Sequence, residues 1–148
     1  MNDRESILAL AVEREEEAAR VYGLMKDQAA SPSLKSLLEE LVKQELHHKE
    51  KLLSLSAEDI FPSANPIPEA VGMTDVLDEE PFRPDMTLQE LMIFAARKER
   101  QAADFYEAMA AGARNPEIRS IFTFLRDQEL QHKKILEDEY DKHFLAEN

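Results

Sequence analysis

Apolar residues recur along this chain at spacings of three and four positions, with polar residues between them. That rhythm is typical of an α-helix that buries one face and exposes the other. It occurs in four segments and predicts helices over residues 3–29, 32–55, 87–112 and 115–143. The chain is therefore predicted to be all-α, with four long helices around one core.

Three of the helix starts carry recognisable capping sequences. Pro32 and Pro116 each stand at a first helical position, directly after the good capping residues Ser31 and Asn115. A capping box begins at Thr87. The start of each of these three helices is therefore predicted from local sequence as well as from the apolar rhythm.

The segment between the second and third helices, residues 56–86, contains five prolines and cannot continue a helix. It is predicted to be a long crossover between a hairpin at 3–55 and a hairpin at 87–143. A linker between two domains is the alternative, but neither hairpin could bury its apolar face alone. We therefore expect one domain over residues 1–148.

The two hairpins are copies of each other. Superposing residues 11–52 on residues 95–136, a shift of 84 positions, matches sixteen of 42 residues without a gap. Two such hairpins bury their apolar faces about a twofold axis that sets the first helix antiparallel to the third. The crossover must then travel the length of the bundle, which predicts the up-down-down-up connectivity of ferritin-like four-helix bundles.

Six positions of the apolar stripe carry titratable side chains. They are Glu15, Glu45, His48, Glu99, Glu129 and His132. Burying an ionised carboxylate without compensation is very costly, and four in one layer would raise one another's pKa values. Two divalent cations would balance four glutamates with both histidines neutral, so the pattern predicts a two-metal site.

The spacing of these residues agrees with metal binding. Each histidine follows a glutamate by three positions, which lets both side chains reach one ion from the same helix. A single Glu-x-x-His is a weak signal, but two in register within an internal repeat are specific. The other two helices each supply one glutamate, which completes the ligand set of dimetal carboxylate bundles.

The alternative is that such residues lie on solvated helix faces. Glu13, Glu16 and Glu17 fall off the apolar stripe and are assigned to the surface. His47 lies beside the stripe and His143 lies near the end of the last helix. Neither histidine is predicted to be a ligand.

Tyr22 and Tyr106 lie two helical turns after Glu15 and Glu99 on the same faces. One interpretation is core packing, with each hydroxyl reaching a polar partner. The other is a catalytic role, through a hydrogen bond to a glutamate ligand or as a redox-active phenol near the metals. The sequence leaves both open.

The net charge and the composition of the chain limit the kinds of partner and metal site that it can have. A net charge of −13 and a pI near 4.7 disfavour nucleic acid and anionic membranes. The absence of cysteine excludes thiolate zinc sites and iron-sulfur clusters, so any metal binds through nitrogen and oxygen. The chain also starts without a basic stretch and has no apolar run long enough to cross a bilayer, so we expect a cytoplasmic protein.

The chain resembles the rubrerythrin and bacterioferritin branch of the ferritin-like superfamily. The resemblance covers nearly the whole chain and rests on residues 11–22, 45–48, 95–106 and 129–132. It implies two bound irons, although manganese and zinc suit the same ligands. Metal identity is therefore an expectation from the family.

The resemblance also implies roles for the ligands. In similar proteins the glutamates at the positions of Glu45 and Glu129 bridge the irons, those at Glu15 and Glu99 bind one iron each, and each histidine caps one iron. Such proteins reduce dioxygen or hydrogen peroxide, or oxidise ferrous iron for storage. We expect a peroxide or dioxygen oxidoreductase. An iron-storage protein with ferroxidase activity, or a metal-dependent structural or sensing bundle, is the alternative.

The chain departs from the family pattern in two ways. Rubrerythrins carry an added glutamate where this chain has Ala102, which argues against a rubrerythrin peroxidase mechanism that involves iron movement. They also carry a cysteine-ligated electron-transfer module, for which this chain has no cysteine. We therefore expect electrons to come from a separate donor protein. The chain also ends soon after the fourth helix, so we expect a homodimer in preference to a storage cage.

Overall fold

The computed structural model describes residues 3–61 and 82–145, and every regular element in these ranges is helical. The helices are α1 (Asp3–Gln28), α2 (Pro32–Leu53), α3 (Ala57–Ile60), α4 (Leu88–Gly112) and α5 (Pro116–Tyr140), and α5 continues into a π-helical turn, Asp141–Leu145. The predicted all-α class is confirmed. The long helices α1, α2, α4 and α5 form the bundle.

The helix starts form as their capping residues predict. The side chain of Ser31 accepts a hydrogen bond from the Leu34 N–H at 3.1 Å, and Asn115 accepts from the first turn of α5. Thr87 and Glu90 form a complete capping box. The predicted end of the last helix at residue 143 is too late, because the α-helical hydrogen-bond pattern gives way to the π-helical turn.

The predicted crossover includes the short helix α3, which periodicity could not show because four residues make barely one turn. Residues 62–81 of the crossover lie outside the described residues. At one end, Arg4 Nε donates to the carbonyl oxygen of Phe61 at 2.7 Å. At the other, Gln28 Nε2 donates to the carbonyl oxygen of Met86 at 2.9 Å. The crossover therefore begins beside the start of α1 and ends beside its last residues.

Buried apolar side chains form two clusters, one towards each end of the bundle. The first cluster combines the early part of α1, the ends of α2 and α4, and the start of α5; it includes Ile7, Ala11, Leu52, Phe105, Met109 and Phe122. The second cluster combines the opposite ends of these helices and includes Met25, Leu34, Leu38, Leu91, Phe94 and Leu136.

The composition of these clusters gives the direction of each helix. The start of α1 packs with the end of α2 and with the end of α4, so α1 is antiparallel to both. The start of α5 joins the same cluster as the start of α1. The bundle is therefore up-down-down-up, as the internal repeat predicts.

None of the helices in the described ranges combines the length and the apolarity that crossing a bilayer requires.

Candidate metal centre

A layer of charged and titratable side chains, called the polar layer below, lies between the two apolar clusters. Its members each expose no more than 3% of their surface; they are Glu15, Glu45, His48, Glu99, Glu129 and His132. All six predicted ligands are therefore buried in one place. That they bind metal stays a prediction.

The helical repeat explains how the four long helices deliver these groups. Glu45 and His48 lie one turn apart on the inner face of α2, and Glu129 and His132 do the same on α5. Helices α1 and α4 add one glutamate each, at the level where the apolar stripe is interrupted. Side chains that are far apart in sequence thus converge because they occupy equivalent positions in two copies of one hairpin.

His132 turns Nδ1 towards the carboxylates. This nitrogen lies 2.6 Å from Glu45 Oε1 and 3.3 Å from Glu99 Oε2. Its other ring nitrogen, Nε2, lies 2.6 Å from Gln44 Oε1. The ring is therefore held from both sides.

His48 has the equivalent orientation in the other half of the site. Its Nδ1 lies 3.0 Å from Glu129 Oε1 and 3.4 Å from Glu15 Oε2. The rings of His48 and His132 are stacked, with centroids 5.8 Å apart and planes inclined by 16°. The two halves of the polar layer thus face each other as a pseudo-symmetric pair.

The polar layer contains two overlapping groups of potential metal ligands. In each group, one ligand atom from every residue lies within 4.8 Å of the others. The groups are Glu15, Glu45, His48 and Glu129, and Glu45, Glu99, Glu129 and His132. Glu45 and Glu129 belong to both groups, which is the arrangement that bridging carboxylates require.

The donor set fits a cation. One oxygen of each glutamate in the layer has no hydrogen-bond partner of good geometry among residues 3–61 and 82–145. A buried polar atom without a partner costs about 1–3 kcal/mol, and more when it is charged. Nitrogen and oxygen donors without sulfur suit iron, manganese or zinc. The six buried glutamates and histidines therefore fit a metal site and could hold a cation.

Without a cation, protons must compensate the charge of the carboxylates. Burial, followed by the charges of neighbouring carboxylates, raises the pKa values of Glu45 and Glu99 well above the ordinary value. Burial is also the main reason that the pKa of Glu129 rises to about 7. Glu15 differs, because hydrogen bonds with Glu45, His48 and Tyr106 outweigh burial and lower its pKa.

The two histidines have opposite pKa shifts. Burial lowers the pKa of His48, but hydrogen bonds with Glu129 and Glu15 outweigh it and raise the value to about 9. For His132, burial and then the charge of His48 lower the pKa to about 4. In the metal-free site one imidazole is thus cationic and the other neutral. A metal ion would replace that positive charge and the protons on the carboxylates.

The two tyrosines that occupy equivalent positions in the repeat differ in their contacts. Tyr106 Oη donates to Glu15 Oε1 at 2.6 Å, which links the two hairpins. Tyr22 lies against the His132 ring at 6.2 Å between centroids, and its hydroxyl has no hydrogen-bond partner of good geometry within the described ranges. Burial, and then nearby carboxylates, raises both pKa values well above 10, so both keep their protons. A redox role for either stays a prediction.

Gln44, which contacts His132, was not among the residues predicted from the apolar pattern. It lies outside the apolar stripe, which directed attention to the six titratable residues. A signal was present, since Gln44 and Gln128 are identical in the internal repeat and each directly precedes a ligand glutamate. Its structural role depends on a side chain of the other hairpin, which the repeat does not identify.

The residues predicted to lie outside the site are exposed or half-buried. Glu13 and His47 are exposed, and His143 lies in the terminal π-helical turn, 3.6 Å from Glu139. Glu16 is partly buried and its Oε2 accepts from Lys49 Nζ at 2.9 Å. None of them belongs to either group of potential ligands within the described residues.

A small cavity opens onto the polar layer between α1 and α4. The centre of a water-sized molecule can occupy about 20 Å³ of it, which is room for one small molecule. Its polar lining includes Glu15, Tyr22, Glu99 and Glu129, and the rest of its lining is Arg14, Glu17, Ala18, Val21, Phe94, Ala95, Lys98 and Ala102. Glu17, assigned to the surface from sequence, is half-buried and lines this cavity.

Fold and site together define a class of protein: a four-helix bundle with a buried carboxylate and histidine layer that fits metal. The family model for Rubrerythrin matches residues 6–140. The chain therefore belongs to the Rubrerythrin family, and the resemblance stated from its motifs is confirmed. Comparisons with curated proteins and with solved structures find no match.

Proposed function

We propose that this chain is a di-iron carboxylate oxidoreductase that reduces hydrogen peroxide or dioxygen. The observation that carries the proposal is the pair of overlapping ligand groups that share Glu45 and Glu129. Two shared carboxylates are what a protein needs to hold two cations side by side. Four glutamates with two neutral histidines also balance two divalent ions.

The choice of iron rests on membership of the Rubrerythrin family, because manganese and zinc accept the same donors. A bound pair of ferrous ions supplies two electrons, and with two protons these reduce one hydrogen peroxide to two waters. The protein's own part is to hold the ligands in place, to admit the small oxidant and to supply hydrogen bonds.

The cavity between α1 and α4 supports this assignment of substrate. About 20 Å³ of it is open to the centre of a water-sized molecule, which is enough for one water and is on the scale of a small oxidant. Ala18 and Ala102, equivalent in the repeat, contribute small apolar side chains to its wall. The protonated hydroxyl of Tyr22 lines the cavity beside Glu99, and its contact with that carboxylate lacks good hydrogen-bond geometry. We assign to it the donation of a hydrogen bond to an oxygen atom bound there.

Electrons would come from a separate donor protein, because the chain contains no cysteine with which to ligate an electron-transfer centre. We further propose that the protein works as a homodimer in the cytoplasm. Sedimentation of the metal-loaded protein tests the dimer, and fractionation of the source cells tests the location.

Rapid mixing of the reduced, iron-loaded protein with peroxide or dioxygen tests the activity. We expect the near-ultraviolet absorption of the oxidised iron pair to appear much faster than free ferrous ions are oxidised. With an external electron donor, peroxide consumption should then continue over many turnovers. Oxidation no faster than that of free iron, with both oxidants, would refute the proposal. The Glu45→Ala variant is the matched control.

Iron storage with ferroxidase activity is the second candidate, and the net charge of −13 favours it because an acidic surface concentrates cations. Size and stoichiometry separate the two functions. A cage-sized particle that retains many irons per chain supports storage. A small particle that holds two irons and turns over peroxide supports the oxidoreductase.

A further inference from the structure

The supporting hydrogen bonds of the polar layer are less symmetric than its ligands. Both histidines direct Nδ1 towards the carboxylates, so in a metal-loaded site Nδ1 is the ligand atom and Nε2 carries the hydrogen. A second hydrogen bond at Nε2 fixes the tautomer and the rotation of such a ring. The two histidines differ in whether they have this bond.

His132 has it. Its Nε2 lies 2.6 Å from Gln44 Oε1, so the imidazole donates to the amide oxygen across the bundle from α5 to α2. The amide group is itself oriented, because Gln44 Nε2 donates to Glu40 Oε1 one turn earlier, at 3.5 Å. With its nitrogen held there, the side chain presents its oxygen to His132.

His48 lacks an equivalent bond within residues 3–61 and 82–145. The residue equivalent to Gln44 in the second hairpin is Gln128, which lines the same surface opening as His48. However, Gln128 Nε2 donates to Gln131 Oε1 at 3.4 Å, on its own helix. The His48 ring instead packs against the ring of Phe124 in a T-shaped arrangement, with centroids 6.3 Å apart.

Two differences between the repeats account for this divergence. Glu40, which holds the amide of Gln44, corresponds to Phe124 in the second hairpin, and Phe124 has no group that could hold Gln128. His47 corresponds to Gln131, which takes up the Gln128 amide. The substitution of two neighbours, with the glutamine itself retained, thus leaves one histidine supported and the other not.

We propose that Gln44 is a positioning residue that makes the metal position at His132 the tighter of two, so that this position fills first. The inference rests on the proposed dimetal function. It concerns the order and strength of metal uptake, which the function itself does not require. Removing a supporting partner of a histidine ligand typically weakens metal binding about 10–100-fold.

Titration of the metal-free protein with Co²⁺ under anaerobic conditions tests the proposal, with visible absorption to count bound ions. The wild type should bind two ions in two resolved steps. Gln44→Leu should weaken the first step about 10–100-fold, whereas Gln128→Leu should leave both steps unchanged. Gln44→Glu keeps an acceptor oxygen and should retain the tight step.

Proton NMR of the Co²⁺-loaded protein observes the His132 Nε2–H directly. Its signal would not change if Gln44 only stabilised the fold. The exchangeable Nε2–H signal of His132 should exchange slowly with solvent in the wild type and rapidly in Gln44→Leu. The double variant Phe124→Glu with Gln131→His recreates the surroundings of Gln44 around Gln128. It should tighten the second step towards the first.

The outcomes separate this inference from the proposed function. Two ions bound with equal affinity, or equal effects of Gln44→Leu and Gln128→Leu, would overturn the inference and leave the dimetal site standing. A wild-type capacity below two Co²⁺ per chain would overturn both. Thermal melting of each metal-free variant confirms that the substitutions leave the bundle folded.

Discussion

The polar layer and the apolar clusters on either side of it are built on the same helices, at the same spacing and with the same burial, yet with opposite chemistry. Burying apolar surface is favourable at roughly 25 cal/mol per Å², whatever else is bound. Burying ionisable groups is unfavourable until their charges are balanced. The clusters therefore stabilise the bundle at both ends, and the middle is available for a site that the fold alone would not favour.

The largest expected effect comes from the shared carboxylates. Glu45→Ala and Glu129→Ala should each reduce metal affinity by more than about tenfold, because a direct ligand matters at least as much as the groups that support it. Both ions should be affected, since each of these residues belongs to both ligand groups. Metal content per chain, measured after dialysis, checks this.

Glu16→Ala is the control for these variants. Glu16 lies one position after the ligand Glu15 on α1, but its carboxylate pairs with Lys49 at the surface. The Glu16→Ala variant should therefore retain the metal content of the wild type. Equal retention in Glu16→Ala and in the two ligand variants would show that the polar layer does not bind the metal.

The apolar clusters should respond in the reverse manner. Leu52→Ala removes a side chain that is 0% exposed and should lower the free energy of unfolding by about 2–5 kcal/mol, without changing metal content at low temperature. Leu53→Ala makes the same chemical change at a side chain that is 61% exposed and should cost less than about 0.5 kcal/mol. Urea unfolding of both variants makes the comparison, and similar losses would contradict the packing described above.

A smaller difference is expected between the two buried tyrosines. Tyr106→Phe removes the hydrogen bond to Glu15 and should lower the stability of the metal-free protein by about 1.5–3 kcal/mol. Tyr22→Phe removes a hydroxyl whose contact with Glu99 lacks good hydrogen-bond geometry, so its loss of stability should be smaller than that of Tyr106→Phe. Chemical denaturation measures both. A larger loss for Tyr22→Phe would show that its hydroxyl is bonded in solution.

The smallest expected effect is the pH dependence of the stability of the metal-free protein. Burial raises the pKa values of Glu45 and Glu99 well above the ordinary value and that of Glu129 to about 7, and hydrogen bonds raise that of His48 to about 9. From about pH 6.5 to 9 the folded protein therefore holds more protons than the unfolded chain. His132, with a pKa of about 4, is neutral throughout this window.

Stability that depends on a raised pKa is lost as the pH rises through it. The metal-free protein should lose about 1.4 kcal/mol per pH unit for each extra proton that it holds. Metal binding should strengthen over the same range, because the ligands must release those protons. Thermal melting with and without metal at several pH values checks both trends. A metal-free melting temperature that rises with pH would contradict the pKa directions.

Much of the fold could be predicted from sequence because the start and the buried face of a helix depend on residues that are close together in the chain. Pro32, Thr87 and Pro116 mark helix starts within one residue, and the internal repeat predicts the helix directions that the two apolar clusters show. Helix α3 and the π-helical turn were missed, since neither is long enough to produce an apolar period. The six residues of the polar layer were identified because each breaks a stripe that should be apolar.

The sequence by itself determined which side chains face the core, since position along a helix sets the direction in which a residue points. Only the tertiary structure decided which of them meet across the bundle: Tyr106 with Glu15, and Gln44 with His132 but not Gln128 with His48. These contacts depend on rotamers and on neighbours from another helix. Two homologous hairpins can therefore share every ligand and still differ in how each ligand is supported.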